Sequence, residues 1–162
     1  MKKLNLGCGE DYKNPGEGWV NLDNNKLFKA DIYHDLNKIP YPFKANSFDK
    51  IYMKMILEHL DNPIEFLKDV IRISKKGAKI VLIAPHATSY ANLTDIQHRT
   101  NFTESSFSKE LLKEYNLQEL ILKKRDFIFH NKWKKVIPFK KYLKIFFNGL
   151  YEDLLFEFEV KK

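Results

Sequence analysis

Cysteine is nearly absent from this sequence. Of 162 residues only Cys8 carries a thiol, so no internal disulfide can form and nothing in the chain asks for an oxidising compartment. Long apolar runs are missing as well: no stretch reaches the roughly 18 residues that a membrane-spanning helix requires. Near Met1 the apolar stretch breaks at Asn5, short of the ~7–15-residue apolar core of a secretory signal. The expected location is the cytoplasm. Six glycines and six prolines are too few for a low-complexity chain. No GxxxxGKS/T phosphate loop occurs, the pattern GxGxxG is incomplete, and no internal repeat or linker divides the chain. The length suits one domain, commonly roughly 100–150 residues, and residues 1–162 are expected to form one.

Acidic residues are scarce in one place. The formal net charge is +7, and it is concentrated between Lys123 and Lys144. That stretch holds nine lysines and arginines against the single acid Asp126. Its excess of +8 leaves the rest of the chain at −1. Aromatics are interleaved there: Phe127, Phe129, Trp133, Phe139, Tyr142, Phe146 and Phe147. The segment of about 125–149 is expected to be an insert before the last strand. Three readings stand for it: a helix packed on the core with a solvated lysine face, an interfacial helix on an anionic membrane, and an RNA surface of lysines and stacking aromatics. RNA is the weakest of the three.

Apolar patterning predicts strands at Lys3–Leu6, Trp19–Leu22, Lys29–Tyr33 and Lys50–Lys54. A helix is predicted from Pro63, with Asn62 as its N-cap and Gly77 as its stop signal. The apolar run Lys79–Ala84 reads as a strand buried on both faces. A second helix is expected from a Thr103 cap to about Glu114, then strands at Leu117–Lys124 and Leu150–Val160. Strands alternating with helices indicate an α/β, mostly parallel sheet. The gaps from Gly9 to Trp19 and from Asp23 to Lys29 hold no convincing amphipathic helix. Parallel strands normally need crossovers of a dozen or more residues, so the first crossover helices are expected to be short or missing. One sheet face should then be thinly covered, and a homodimer is one way to cover it.

The turn Gly7-Cys8-Gly9 follows the first strand. In open α/β sheets ligands bind beyond the carboxyl ends of strands, and glycines let the backbone approach them. A lone GxG is a weak signal, and a simple turn explains it equally well. Asp23, at the end of the next strand, can accept both hydroxyls of a ribose; it can also merely cap the Asn24-Asn25 turn. Asp35 can take a base amino group, with Leu36 against a purine face. Cys8 reads as a small buried residue and not a nucleophile.

In order, the segments LNLGCG, NLD, HDL, NSFDKI, ILEHLDNP and FLKDVIRISKKGAKIVLIAPH resemble the class I S-adenosylmethionine (SAM)-dependent methyltransferases of the type 11-like group. The likeness covers about residues 3–107. It implies a Rossmann-like sheet with an antiparallel last strand and SAM as cofactor. It places Gly7, Cys8 and Gly9 at the methionine part, Asp23 at the ribose, Asp35 and Leu36 at the adenine. Met53, Lys54 and Met55 fall on the sulfonium side, with His59 as a lid residue. The sequence departs from the pattern at Asn5, where an acid is usual, and at Asp11, where a third glycine is usual. Relatives that methylate quinone precursors bind a metal near the Glu58-His59 position with an acid three residues before the Glu. Met55 stands there, so no metal is expected.

His86, Asp95 and His98 follow the buried strand Lys79–Ala84 and are the candidate acceptor-site residues, with His as general base. A stray divalent metal site is a second reading of the three, and a hydrogen-bonded surface loop is the plain alternative. The resemblance implies transfer of a methyl group to an O or N atom of a small-molecule, glycan or lipid-linked acceptor. A SAM-binding or substrate-binding module without turnover stays open, as does an RNA-binding protein.

Overall fold

The structure, a computed structural model, describes residues 1–143 and 146–162. One sheet carries seven strands: β1 Lys3–Leu6, β2 Trp19–Asp23, β3 Ile32–Tyr33, β4 Phe48–Lys54, β5 Ser74–Pro85, β6 Leu120–Ile128 and β7 Asp153–Val160. Their order across the sheet is β3-β2-β1-β4-β5-β7-β6. The pairs among β1 to β5 are parallel, and β7 runs antiparallel to both β5 and β6. This is the Rossmann-like α/β arrangement expected.

Register assigns the two faces. Leu4 lies beside Ile51, Ile51 beside Ile80, and Ile80 beside Phe158. Leu6, Met53, Leu82 and Phe156 form the next row, and all of these side chains are fully buried. Helix α1, Pro63–Ile73, supplies Phe66, Leu67, Val70, Ile71 and Ile73 to the same core. Its start is as predicted: the Asn62 side chain accepts from the Glu65 N–H at 3.1 Å, and Pro63 occupies the first turn. Such a cap contributes about 1 kcal/mol.

The opposite face carries Lys3, Asn5, Trp19, Asn21, Lys50, Tyr52, Lys79 and Glu157 by the same register. Here the crossover helices are missing: one 3₁₀ turn, Pro15–Glu17, joins β1 to β2, and no helix stands between β2 and β4. Lysine side chains cover the rings instead. Lys3, Lys13 and Lys50 each place Nζ over Trp19, and Lys13 also lies 4.5 Å from the Tyr52 centroid. Cation–π contact and the buried lysine stems keep this face tolerable in water.

Several expected boundaries move. Helix α1 stops at Ile73, because Ser74 donates its hydroxyl to the Val70 carbonyl and pairs at once with Phe48 of β4. Gly77, with φ +76°, lies inside β5 at a register shift and is not the helix stop. Strand β4 begins at Phe48, β3 keeps only two residues, and β6 and β7 begin later than predicted. Thr103 caps a turn by accepting from the Ser105 N–H. The following helix α3, Lys109–Glu114, is capped by Ser108, whose Oγ accepts from Leu111. A short helix α2, Tyr90–Thr94, stands where a loop was expected; Ser89 caps it.

Candidate functional site

Strand β1 ends in the glycine turn. Gly7 and Gly9 have φ of +64° and +46°, the left-handed region where side chains are disfavoured. The N–H groups of Gly7 and Cys8 both reach the Leu22 carbonyl, and the Gly9 N–H donates to Asp23 Oδ2 at 2.7 Å. Asn5 is a structural amide under this turn. It donates to Asn21 Oδ1 and to the Asp11 carbonyl, while Asn21 donates to Asp31. Burial pushes the Asp31 carboxyl up, but hydrogen bonds from Tyr12 and Asn21 outweigh it and hold the group below its ordinary value. An acid at position 5 would put a second carboxylate into this network. The amide therefore suits its surroundings.

A cavity of about 330 Å³ opens at the carboxyl ends of the strands, lined by Gly7, Asp23, Asp35, Leu36, Ile56 and His59 among others. It shares Gly7, Asp23, Ile56 and His59 with a wider recess of about 560 Å³ that adds Cys8, Gly9, Lys54 and Met55. The predicted cofactor residues thus come together, with one exception. Met53 is fully buried in the core beside Leu6 and Leu82; strand alternation turns its side chain away while Lys54 and Met55 line the recess.

The residues present fit SAM. Asp23 already accepts from the N–H groups of Gly9 and Asn25, one on each oxygen. A carboxylate offers about four acceptor sites, so each oxygen keeps one for a ribose hydroxyl. A side chain at Gly7 would displace Ile56: a Cβ would stand 2.1 Å from Ile56 Cδ1. Cys8 is buried, and burial followed by the charge of Asp23 pushes its thiol up to about 11. It is not a nucleophile at neutral pH.

Beside this cavity stand Glu58, His59 and His98. The His59 and His98 rings are 4.7 Å apart, edge to face. Glu58 is 1% exposed, and neither carboxyl oxygen has a hydrogen-bond partner among the described residues. Burial, aided by the charges of Asp153 and Asp95, pushes it up to about 7. Burial and the neighbouring His98 push His59 below its ordinary value. His98 lies 3.6 Å from the Asp95 carboxylate. His86 is held elsewhere: its ring bonds Thr88 and Glu104 and packs on Tyr151. The structure therefore separates the expected trio into an Asp95–His98 pair and a buried, bonded His86. Glu58 was not singled out as a functional side chain in the sequence. Its signal is burial, which a lone acid in a short LEH segment does not announce.

A family model described as methyltransferase domain matches residues 15–82. Over this stretch, which is less than half of the chain, the sequence is similar to methyltransferase domains. No curated protein sequence matches it. Solved structures extend the fold likeness to nearly the whole chain. A SAM-dependent methyltransferase from Archaeoglobus fulgidus superposes with a TM-score of 0.72 at 17% identity, covering 98% of this chain and 86% of that one. An S-adenosylmethionine-dependent methyltransferase from Mesorhizobium loti gives 0.64 at 14%, covering 98% and 90%. The [4+2]-cyclase SpnF gives 0.63 at 10%, covering 99% and 74%.

The basic aromatic segment leaves the sheet at the same edge as the candidate cofactor cavity. Ile128 of β6 and Pro85 of β5 both pair with Asp153, so residues 129–152 leave and re-enter at the carboxyl ends of the parallel strands. The segment holds two short helices, α4 Lys132–Lys135 and α5 Lys140–Leu143. Phe127 packs against the core and Tyr151 is buried, but the aromatics between them stand out: Trp133 is 60% exposed, Phe139 76% and Phe146 78%. The reading of this segment as a core-packed helix is corrected accordingly. Lys134 is ion-paired with Glu152 at 2.9 Å, and Lys144 lies outside the described residues.

Proposed function

We propose that this chain is a SAM-dependent methyltransferase that transfers the methyl group to an O or N atom of a small, sugar-like or lipid-linked acceptor at an anionic membrane surface. The observation that carries this reading is the position of the exposed aromatics. Trp133, Val136, Phe139, Tyr142, Phe146 and Phe147 are all more than half exposed, among lysines, on the edge where the cofactor cavity opens. Soluble surfaces rarely keep such a cluster without a partner, and lysines beside Trp and Phe suit the headgroup boundary. Among the described residues no helix is long and apolar enough to cross a membrane; the contact in this reading is peripheral.

SAM supplies an electrophilic methyl on a sulfonium. Bound in this cavity, it would give that methyl to an oxygen or nitrogen nucleophile, with the sulfur–methyl bond broken, the sulfide left behind and a proton to be removed from the acceptor. The protein's main work is alignment, which is worth up to ~7–11 kcal/mol in well-oriented reactions. The Asp95–His98 pair beside His59 offers the place where that proton goes.

Flotation with vesicles of neutral lipid, with and without anionic lipid, tests the membrane contact. Wild type is expected to float only with anionic vesicles, and Trp133→Ala/Phe139→Ala to remain in solution. Equal partition of the two proteins sinks the reading. A radiolabelled-methyl transfer screen over polyprenyl-linked and free sugars tests the acceptor class.

A further inference from the structure

We propose that Glu58, His59 and His98 form a binding site for a zinc-like divalent cation beside the cofactor cavity. One ligand atom from each of the three side chains lies within 4.8 Å of the others. Ligand atoms held at roughly 2.0–2.2 Å by one ion lie at most about 4.4 Å apart, so the three side chains would draw slightly closer around a bound ion. Two imidazoles and one carboxylate are a common catalytic zinc set, and they leave a fourth position for water or a substrate oxygen.

Glu58 supplies the first independent observation. A carboxylate buried without a hydrogen-bond partner is expensive, and buried charges are normally paired or bound to metal. Both of its oxygens are unpartnered among the described residues. Among the described residues no lysine or arginine answers it in an ion pair. A cation at this point supplies the missing partner.

His98 supplies the second. Asn92 donates its Nδ2 to the Ala87 carbonyl and to Asn101 Oδ1, which fixes the orientation of the amide and leaves Asn92 Oδ1 facing His98 Nδ1 at 3.2 Å. An oxygen there can only accept, so Nδ1 carries the proton and Nε2 keeps its lone pair. This is the outer-shell arrangement that orients metal-binding imidazoles. His59 is likewise held through the Gln97 backbone. The two segments are tied together, since the N–H groups of Arg99 and Thr100 both reach the Glu58 carbonyl.

Met55 stands where some relatives carry an acid. In this chain the third ligand is His98, from a segment distant in sequence. The cation's role in the reaction rests on the proposed transfer: as a Lewis acid it lowers the pKa of an acceptor hydroxyl. With His98 Nε2 on the cation, Asp95 at 3.6 Å remains to take the proton.

The test uses the untagged full chain after chelator treatment and removal of the chelator. It is titrated with Co²⁺ alone, read by visible d–d absorption, and with Zn²⁺, read by calorimetry. Saturation at one ion per chain is expected, with affinity falling at least about tenfold in Glu58→Gln and in His98→Ala. Histidine ring ¹H–¹⁵N spectra of wild type decide the matter even if a variant misfolds. Of the five histidines, His59 and His98 should respond to Zn²⁺, while His34, His86 and His130 stay unmoved. Absence of binding, unchanged affinity in both folded variants, or a response from the other histidines overturns the site. SAM calorimetry on the same metal-free protein is read separately. SAM binding without metal binding refutes only the cation site; metal binding without SAM binding refutes only the transfer reading.

Discussion

Burial of Glu58 should make the metal-free protein lose stability as pH rises, and Glu58→Gln should remove that loss. The folded carboxyl titrates near 7 against an ordinary value of 4.5. Between those values the folded chain holds a proton that the unfolded chain has released. Stability rises with pH only where the unfolded state binds more protons; here it binds fewer, so stability falls across this window. At about 1.4 kcal/mol per pH unit the interval corresponds to about 3 kcal/mol. In a chain of this size that is roughly 6–12 °C in Tm. His59 has the opposite sign. Its folded value is lowered, so its contribution is lost as pH falls through 6.5 and below. The His59 contribution is present in both proteins, as are Asp95, Asp153 and His98 near Glu58. The comparison is therefore wild type against Glu58→Gln, in chelator, by thermal and urea unfolding from pH 4.5 to 8. The buried Gln amide has its own desolvation cost, but that cost does not vary with pH. The expected result is a gap between the two proteins that shifts in favour of the variant by about 3 kcal/mol from the acid to the alkaline end. Parallel profiles would refute the reasoning.

Asp23→Ala is expected to weaken SAM binding at least tenfold by calorimetry, since it strands two ribose hydroxyls and frees the Gly9 and Asn25 N–H groups it now holds; unchanged affinity counts against the ribose assignment. Gly7→Ala costs about 1–2 kcal/mol in backbone strain at φ +64° and drives Ile56 into the cavity. Adding Ile56→Ala should restore SAM affinity while the stability loss remains, and wild-type affinity in the single variant would disprove the steric argument. Cys8, with its thiol pushed up to about 11, should stay unmodified by iodoacetamide at pH 8 in the folded protein and react on unfolding; rapid labelling of native protein would contradict the burial.

Local chemistry made much of this molecule legible from sequence. Two short gaps announced the missing crossover helices, since no parallel pair can hide a three-turn helix in nine or five residues. The glycine turn, Asp23, Asp35 and Leu36 sit directly after strands, where the sheet's geometry gathers them without help from distant residues. Met53 went astray for an equally local reason: strand period two sends neighbours to opposite faces, and an apolar residue one place before the turn belongs to the core. Gly77 showed the limit of stop signals. A glycine after two lysines reads as a helix end, yet Ser74 bonds back to Val70 and the strand starts three residues sooner.

What stayed hidden depends on contacts between segments far apart in the chain. Nothing near Glu58 distinguishes it from a solvated acid in a turn. Its isolation arises because the Ala87–Asn101 segment folds over it, with the Arg99 and Thr100 N–H groups on its carbonyl and the His98 ring against His59. The exposed aromatics are the converse case. Their composition suggests a packed helix, and only the pairing of Ile128 and Pro85 with Asp153 shows that the chain leaves and re-enters the sheet at the edge where the candidate cofactor cavity opens. Both features lie at the carboxyl ends of the strands, the edge where the backbone leaves regular pairing. On the far face the sheet is covered by its own lysines, so it contributes shape but little chemistry. The contacts proposed for this small chain therefore lie in loops along one edge. Substitutions there should change cofactor, cation or membrane contact separately, whereas substitutions in the Leu4–Ile51–Ile80–Phe158 row should affect all three through stability.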